Sequence, residues 1–172
     1  MDVLAAIDRV RTVRAYTAGP IDPAVLRRIV DAGRHAGSSK NHQRWAFVTV
    51  TERATLERLG AVGRYGAHVP GAAAVIALVT PAMQPGDPLS IMWDLGRAAQ
   101  NMVLAAWALG IGSCPVTVYE QPLVHEILGL PDDRHCEYLI TLGHPADPTD
   151  LTRPPRPGGR VALDDILHDE RW

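Results

Sequence analysis

The sequence predicts an α+β fold, one sheet covered by helices, and three observations predict it. Apolar runs of strand length recur at residues 45–51, 72–79, 113–119 and 136–142. Helical periodicity and helix punctuation occupy much of the remainder, without the strict strand–helix alternation that builds a parallel sheet. One helical run, residues 89–110, is longer and more apolar than the others. A chain of 172 residues can bury a core of its own, so residues 1–172 are read as a single domain whose end, 153–172, is an extended tail.

Residues 2–9 read as a short helix with Val3, Leu4, Ile7 and Val10 on one side, followed by a polar, basic connector over 11–20. Asp22-Pro23 opens a second helix, an N-cap acceptor followed by proline at the first helical position. Leu26, Ile29 and Val30 recur with helical period, and Gly33 falls on the same face, where a missing side chain lets a neighbour pack closely. Gly37 is expected to stop that helix. A polar loop over 38–44 leads into the first strand, and a surface helix over 52–59 ends at Gly60. The run 72–79 holds no polar side chain and reads as a fully buried strand. After the turn-rich stretch 81–88, Ser90 is expected to cap the long helix, which Gly110-Ile111-Gly112 ends. The strand 113–119, a helix over 121–128 and the strand 136–142, closed by Gly143, complete the regular part. Residues 153–160 are too rich in proline and glycine for helix or sheet. Beyond them Ile166, Leu167 and Trp172 favour packing on a second subunit.

A formal net charge of -2 leaves no basic stripe, which argues against nucleic acid as a partner. The long helical run carries Asp94, Arg97, Gln100 and Asn101 and is no membrane span. Asp2, Asp8 and Arg9 interrupt the start, which therefore does not read as a signal peptide. Cys114 and Cys136 fit no zinc or redox spacing and read as buried thiols in a reducing cytoplasm. The seven histidines show no metal-binding spacing, so no metal is expected. Neither a nucleophile elbow nor a glycine-rich phosphate loop occurs. A bound phosphate would therefore have to be held by side chains.

Three constellations could carry chemistry. In Arg11-Thr12-Val13-Arg14, two guanidiniums flank a hydroxyl, and arginine forks match phosphate oxygens. The same pair also reads as solvated arginines at a helix end. Residues 38–43, Ser-Ser-Lys-Asn-His-Gln, pack donors and acceptors between a helix and a strand, as a ligand-reading loop or an ordinary capping loop does. Residues 112–118, Gly-Ser-Cys-Pro-Val-Thr-Val, form an apolar strand whose glycine and proline suit backbone approach to a planar ring, or an edge position in the core.

In their order and spacing these segments resemble the nitroreductase family of FMN enzymes along nearly the whole chain. Arg11-Thr12-x-Arg14-x-Tyr16 is similar to the family's Arg-Ser-x-Arg-x-Phe phosphate motif. Residues 36–45, Ala-Gly-Ser-Ser-Lys-Asn-His-Gln-Arg-Trp, are similar to its Ala-Pro-Ser-x-x-Asn-x-Gln-Pro-Trp loop. The stretch from Asp94-Leu95-Gly96 through Gln100-Asn101 to Gly112 resembles its long dimer-core helix, and Arg160 through Arg171-Trp172 resembles its tail. The resemblance implies a nitroreductase-like fold: a central, mainly antiparallel sheet flanked by helices, the long helix at a dimer interface, and the tail extending onto the partner subunit. It implies that Arg11, Thr12 and Arg14 hold the phosphate and pyrimidine edge of non-covalently bound FMN, with Arg160 returning to the phosphate. Ser38, Ser39 and Asn41 would contact the flavin across the subunit interface. Pro115, Val116 and Thr117 would lie along its ring, with a backbone amide near N5. Departures from the pattern are Val10 for an arginine, Gly37 and Arg44 for prolines, and Thr117 where some members carry an acid. A lysine that some members place near the flavin pyrimidine has Arg64 and His68 as candidates here.

The implied activity is reduction of nitroaromatic, quinone-like or related small acceptors by NAD(P)H, in a ping-pong order at one open flavin face. No side chain is nominated as a general base. Other readings stay open at this level. One is a flavin-storage module without turnover. Others are a related enzyme with different chemistry, such as dehalogenation or deazaflavin-linked reduction, or a flavin-free structural dimer.

Overall fold

The computed structural model describes residues 2–154 and 158–172. The four apolar runs pair into one sheet of strands β1 (Ala46–Val50), β2 (Ala74–Pro81), β3 (Gly112–Thr117) and β4 (Arg134–Gly143). The strand order is β1-β2-β4-β3, and every pairing is antiparallel. Side chains alternate across a strand, so β2 feeds two cores. Ala74, Ile76 and Leu78 face helices α2 (Pro23–Arg34) and α4 (Ser90–Ala108), where they meet Ile29, Leu95 and Met102. Val75, Ala77 and Val79 face α3 (Arg53–Leu59) and α5 (Gln121–Leu128), where they meet Leu56, Leu59 and Val124. A short α1 (Val3–Arg9) precedes these elements. The expected α+β class, with a sheet flanked by helices on both faces, is what forms.

Gly33 has the role its periodicity implies. The space a Cβ would need there is filled by Met102, so α2 and α4 come close, and Asn101 Nδ2 donates to the Ala32 carbonyl at 3.2 Å. Both cysteines are free and buried.

Several boundaries differ from expectation. α2 ends at Arg34, where the His35 N–H closes the last turn on the Asp31 carbonyl; Gly37 lies beyond and plays no capping part. Ser90 lies inside α4 rather than capping it. The Pro88 carbonyl already accepts from Ile91 N–H at 3.1 Å, and Leu89 is already helical, so the turn at Pro88 starts the helix. β2 begins two residues late because Ala72 closes a 3₁₀ turn over Val69–Gly71. β2 then runs on to Pro81, a position at the strand end where a missing N–H costs little.

After β4, Trp107 Nε1 donates to the Leu151 carbonyl at 2.8 Å and pins the chain to α4. From residue 158 onward every side chain is exposed, including Leu163, Ile166, Leu167 and Trp172. The stretch 153–160, expected to be irregular, lies partly outside the described residues.

Candidate functional site

β3 is an edge strand, and β4 covers only one of its sides. The connector after α1 lies along the other side. Thr12 bridges Ser113 in parallel, and Val13 N–H donates to the Ser113 carbonyl at 2.9 Å. The connector is therefore extended where it meets β3. Val13 points inward and is 1% exposed. It packs on Gly112, where an added Cβ would lie 2.8 Å from the Val13 Cβ. Tyr16 likewise covers Gly143, where a Cβ would come within 2.6 Å of the ring.

The Tyr16 hydroxyl lies 2.6 Å from the Val13 carbonyl and 2.8 Å from Thr141 Oγ1, which lies 3.1 Å from the Cys114 carbonyl. The two hydroxyl protons are shared among these three contacts. Burial holds the Tyr16 phenol well above its ordinary range, so it stays neutral. Thr17 N–H to the His144 carbonyl at 2.8 Å, and Ala146 N–H to the Ala15 carbonyl at 2.9 Å, close the seam.

With Val13 and Tyr16 locked, Thr12 and Arg14 face outward and Arg11 is half-buried. Arg11 Nη1 donates to the Val10 carbonyl at 2.7 Å. Among the described residues, no carboxylate lies within ion-pair distance of Arg11 or Arg14. The Arg14 guanidinium stands beside the Cys114 thiol and near His68. Burial pushes the thiol up, and Arg14 partly offsets that. Burial, then the Arg14 charge, holds His68 below its ordinary value. His68 Nε2 is buried without a hydrogen-bond partner among the described residues. Arg64, the other candidate for the position beside the pyrimidine, stacks over the Tyr119 ring at 4.7 Å.

Next along the same edge, Pro115 is exposed, Val116 buried and Thr117 half-buried. Beside Pro115 opens a groove of about 360 Å³ between α4 and the sheet, lined by Leu95, Gly96, Ala99, Pro115 and Tyr138 among others. The expected phosphate residues and ring-facing strand are thus brought together at one sheet edge.

The loop 38–43 is not brought there. It leads into β1, the opposite edge, three strand spacings or about 14 Å away. Ser38 Oγ accepts from Gln43 N–H at 3.0 Å, and Asn41 Oδ1 accepts from Gln43 Nε2 at 3.1 Å. Ser39 N–H donates to Asp94 Oδ2 on α4 at 2.8 Å. Lys40, Asn41 and Gln43 have φ of 50°, 56° and 49°, left-handed conformations that cost on the order of 1 kcal/mol or more for side-chain-bearing residues. Asn41 is exposed. Arg160 is exposed too, with Nη1 on the Gly159 carbonyl at 2.9 Å, and no described contact joins it to Arg11 or Arg14.

Asp94, in the sequence one residue of the α4 motif, anchors the loop 38–43 through Ser39. Its sole local signal is a carboxylate amid the most apolar helix.

The two guanidiniums, without an acidic partner among the described residues, and the exposed Pro115 lie along one strand edge and suit a planar ligand that bears phosphate. The sequence places that site in a family: the profile of the Nitroreductase family matches residues 7–64 and 61–144, and the chain belongs to that family. It is 31% identical over 179 residues to a protein of Methanothermobacter thermautotrophicus provisionally named NADH dehydrogenase/NAD(P)H nitroreductase, covering all of this chain and 88% of the relative. An NADPH-flavin oxidoreductase of Vibrio harveyi is 30% identical over 149 residues, 78% of this chain and 62% of its own. A provisionally assigned nitroreductase of Desulfovibrio desulfuricans, solved in complex with FMN, superposes with a TM-score of 0.81 at 27% identity, covering 100% of this chain and 98% of the other.

Proposed function

We propose that this chain is an NAD(P)H-dependent FMN oxidoreductase. It reduces nitroaromatic, quinone-like or related small acceptors, and it works as a homodimer with FMN at the subunit interface. One observation carries the reading: among the described residues, Arg11, Thr12 and Arg14 stand without acidic partners along the β3 edge, which also presents exposed Pro115. These residues fit FMN, since the cations and hydroxyl suit a phosphate and an electron-rich ring edge while the exposed apolar Pro115 suits an aromatic face.

When bound, FMN would supply the redox chemistry that links a reduced nicotinamide to an acceptor. The chain does the rest. Arg11 and Thr12 hold the phosphate, and Arg160 joins them from the tail. Arg14, set by the Val13–Tyr16 seam, keeps a fixed positive charge beside the pyrimidine edge, where negative charge grows. His68 stands behind it as a neutral neighbour. Pro115, Thr117 and the backbone of buried Val116 would support one ring face, and donor and acceptor would use the other in turn.

The dimer reading rests on the two sheet edges. Ser38, Ser39 and Asn41 lead into the opposite edge strand, which favours their reaching a flavin on the β3 edge from a second copy. The exposed Val3, Leu4 and Ile7 of α1, Trp93 of α4 and the apolar tail residues supply surface for such a partner. Two unpaired buried thiols suit the cytoplasm.

The test is anaerobic mixing of the purified protein with NADH and with NADPH. Bound FMN that loses its visible absorption, and recovers it on adding a quinone, is the expected result. FMN that stays oxidised with both nucleotides would reject the oxidoreductase reading in favour of a storage module or another donor.

A further inference from the structure

The loop 38–43 carries three side-chain-bearing residues in left-handed conformations, so something outside it must hold it. Its own hydrogen bonds join loop atoms to loop atoms. Among the described residues, its hydrogen bond to the rest of the fold is Ser39 N–H to Asp94 Oδ2 at 2.8 Å, spanning 55 residues of sequence. Asp94 is 7% exposed, on the first turns of α4, and its other described charged neighbour is Arg97, whose Nη1 lies 3.9 Å from Oδ1. A buried carboxylate is costly unless it is bonded, so this one is placed for the bond it makes. Arg97 meanwhile lies over Gly37. A Cβ at Gly37 would come within 2.5 Å of Arg97 Nη2, the far end of a half-exposed side chain that can move aside.

We infer that Asp94 is a clasp on α4 that positions the flavin-contacting loop, with Arg97 resting beside it over Gly37. Gly37 adds no side chain to restrain the loop, and α4 supplies the restraint from outside. Asp94 is thus a positioning residue: it touches the backbone of Ser39, and through it sets where Ser38, Ser39 and Asn41 stand. Because α4 also lines the groove beside Pro115 through Leu95, Gly96 and Ala99, one helix fixes the loop given to one site and the wall of the other. The inference rests on the reading that this loop contacts flavin, and the experiment separates the two.

The experiment compares wild type, Asp94→Ala, Asp94→Asn and Gly37→Ala by amide hydrogen exchange over residues 37–43 at saturating FMN, and by FMN titration. Asparagine retains an acceptor for Ser39 N–H without the charge. Asp94→Ala is expected to speed exchange in the loop and to weaken FMN binding by about tenfold, the size of one lost charge-assisted hydrogen bond. Asp94→Asn is expected to restore both to within about threefold of wild type. Gly37→Ala is the control and is expected to leave loop exchange near wild type, because Arg97 can move aside. Unchanged loop exchange in Asp94→Ala, or no rescue by Asp94→Asn, overturns the clasp whatever the flavin does. Faster exchange with unchanged FMN affinity overturns the placement of this loop against flavin, and the positioning role with it. A fold damaged by Asp94→Ala is recognised by faster exchange in β2 as well, and the loop exchange of Asp94→Asn then decides.

Discussion

The two edges of the sheet are built by opposite means. At β3, Val13 and Tyr16 are driven into the fold against two glycines, and Arg14 is aimed by packing on both sides of it. At β1, the loop 38–43 is exposed, strained and tied down by one buried carboxylate on α4. Packing fixes a direction through many small contacts that cannot be removed singly. A polar tie fixes it through one bond that can. The difference suits the proposed division of labour. The phosphate end must be preformed to hold FMN, whereas the loop has to meet a ring that another subunit presents.

Three variants sharpen that contrast. The largest effect is expected from Arg14→Ala, which removes a charged donor from the β3 edge. FMN affinity should fall roughly 10- to 100-fold, corresponding to about 1.5–3 kcal/mol, as read by fluorescence titration. Unchanged affinity and unchanged flavin midpoint potential would remove Arg14 from the site. Next is Gly143→Ala. Its methyl would meet the Tyr16 ring at 2.6 Å, so a stability loss of about 2 kcal/mol by denaturant unfolding is expected, with weaker FMN binding as the seam shifts. Full stability would show that the seam is soft and the contrast between the edges wrong.

The smallest effect is expected from Tyr16→Phe, about 1 kcal/mol for the lost hydroxyl contacts. It also carries a pH signature. Burial raises the folded-state pKa of Tyr16 above the ordinary value near 10. Its contribution is therefore complete below about pH 10 and is lost as pH climbs through the folded value, because the unfolded chain ionises first. Wild type should lose melting temperature above about pH 10 more steeply than Tyr16→Phe, and equal slopes would place the phenol in water.

Much of this was legible in the sequence because it is local. The four strands follow from apolar runs, and the α2–α4 approach follows from Gly33 on a periodic face. Arg11, Thr12 and Arg14 stood out because two guanidiniums around a hydroxyl are a chemical pattern within four residues. Helix punctuation misled where a residue type has two uses: Gly37 makes room for Arg97 rather than ending α2, and Ser90 follows a turn that Pro88 had already begun. The positions of His68 beside Arg14 and Asp94 beneath Ser39 depend on contacts some fifty residues apart in the chain. No periodicity reports such a contact. The placement of the two site segments on opposite edges is of the same kind, since strand order is a property of the folded sheet alone.

The most direct test of a composite site mixes subunits. Arg14→Ala damages the β3 edge and Asn41→Ala the loop, so each homodimer should bind FMN weakly at both sites. In a heterodimer of the two, one site receives both defects and the other neither. The account predicts that purified heterodimers bind one FMN per dimer with wild-type affinity. Heterodimers without any wild-type site would mean that each chain builds its flavin site alone, and would contradict it.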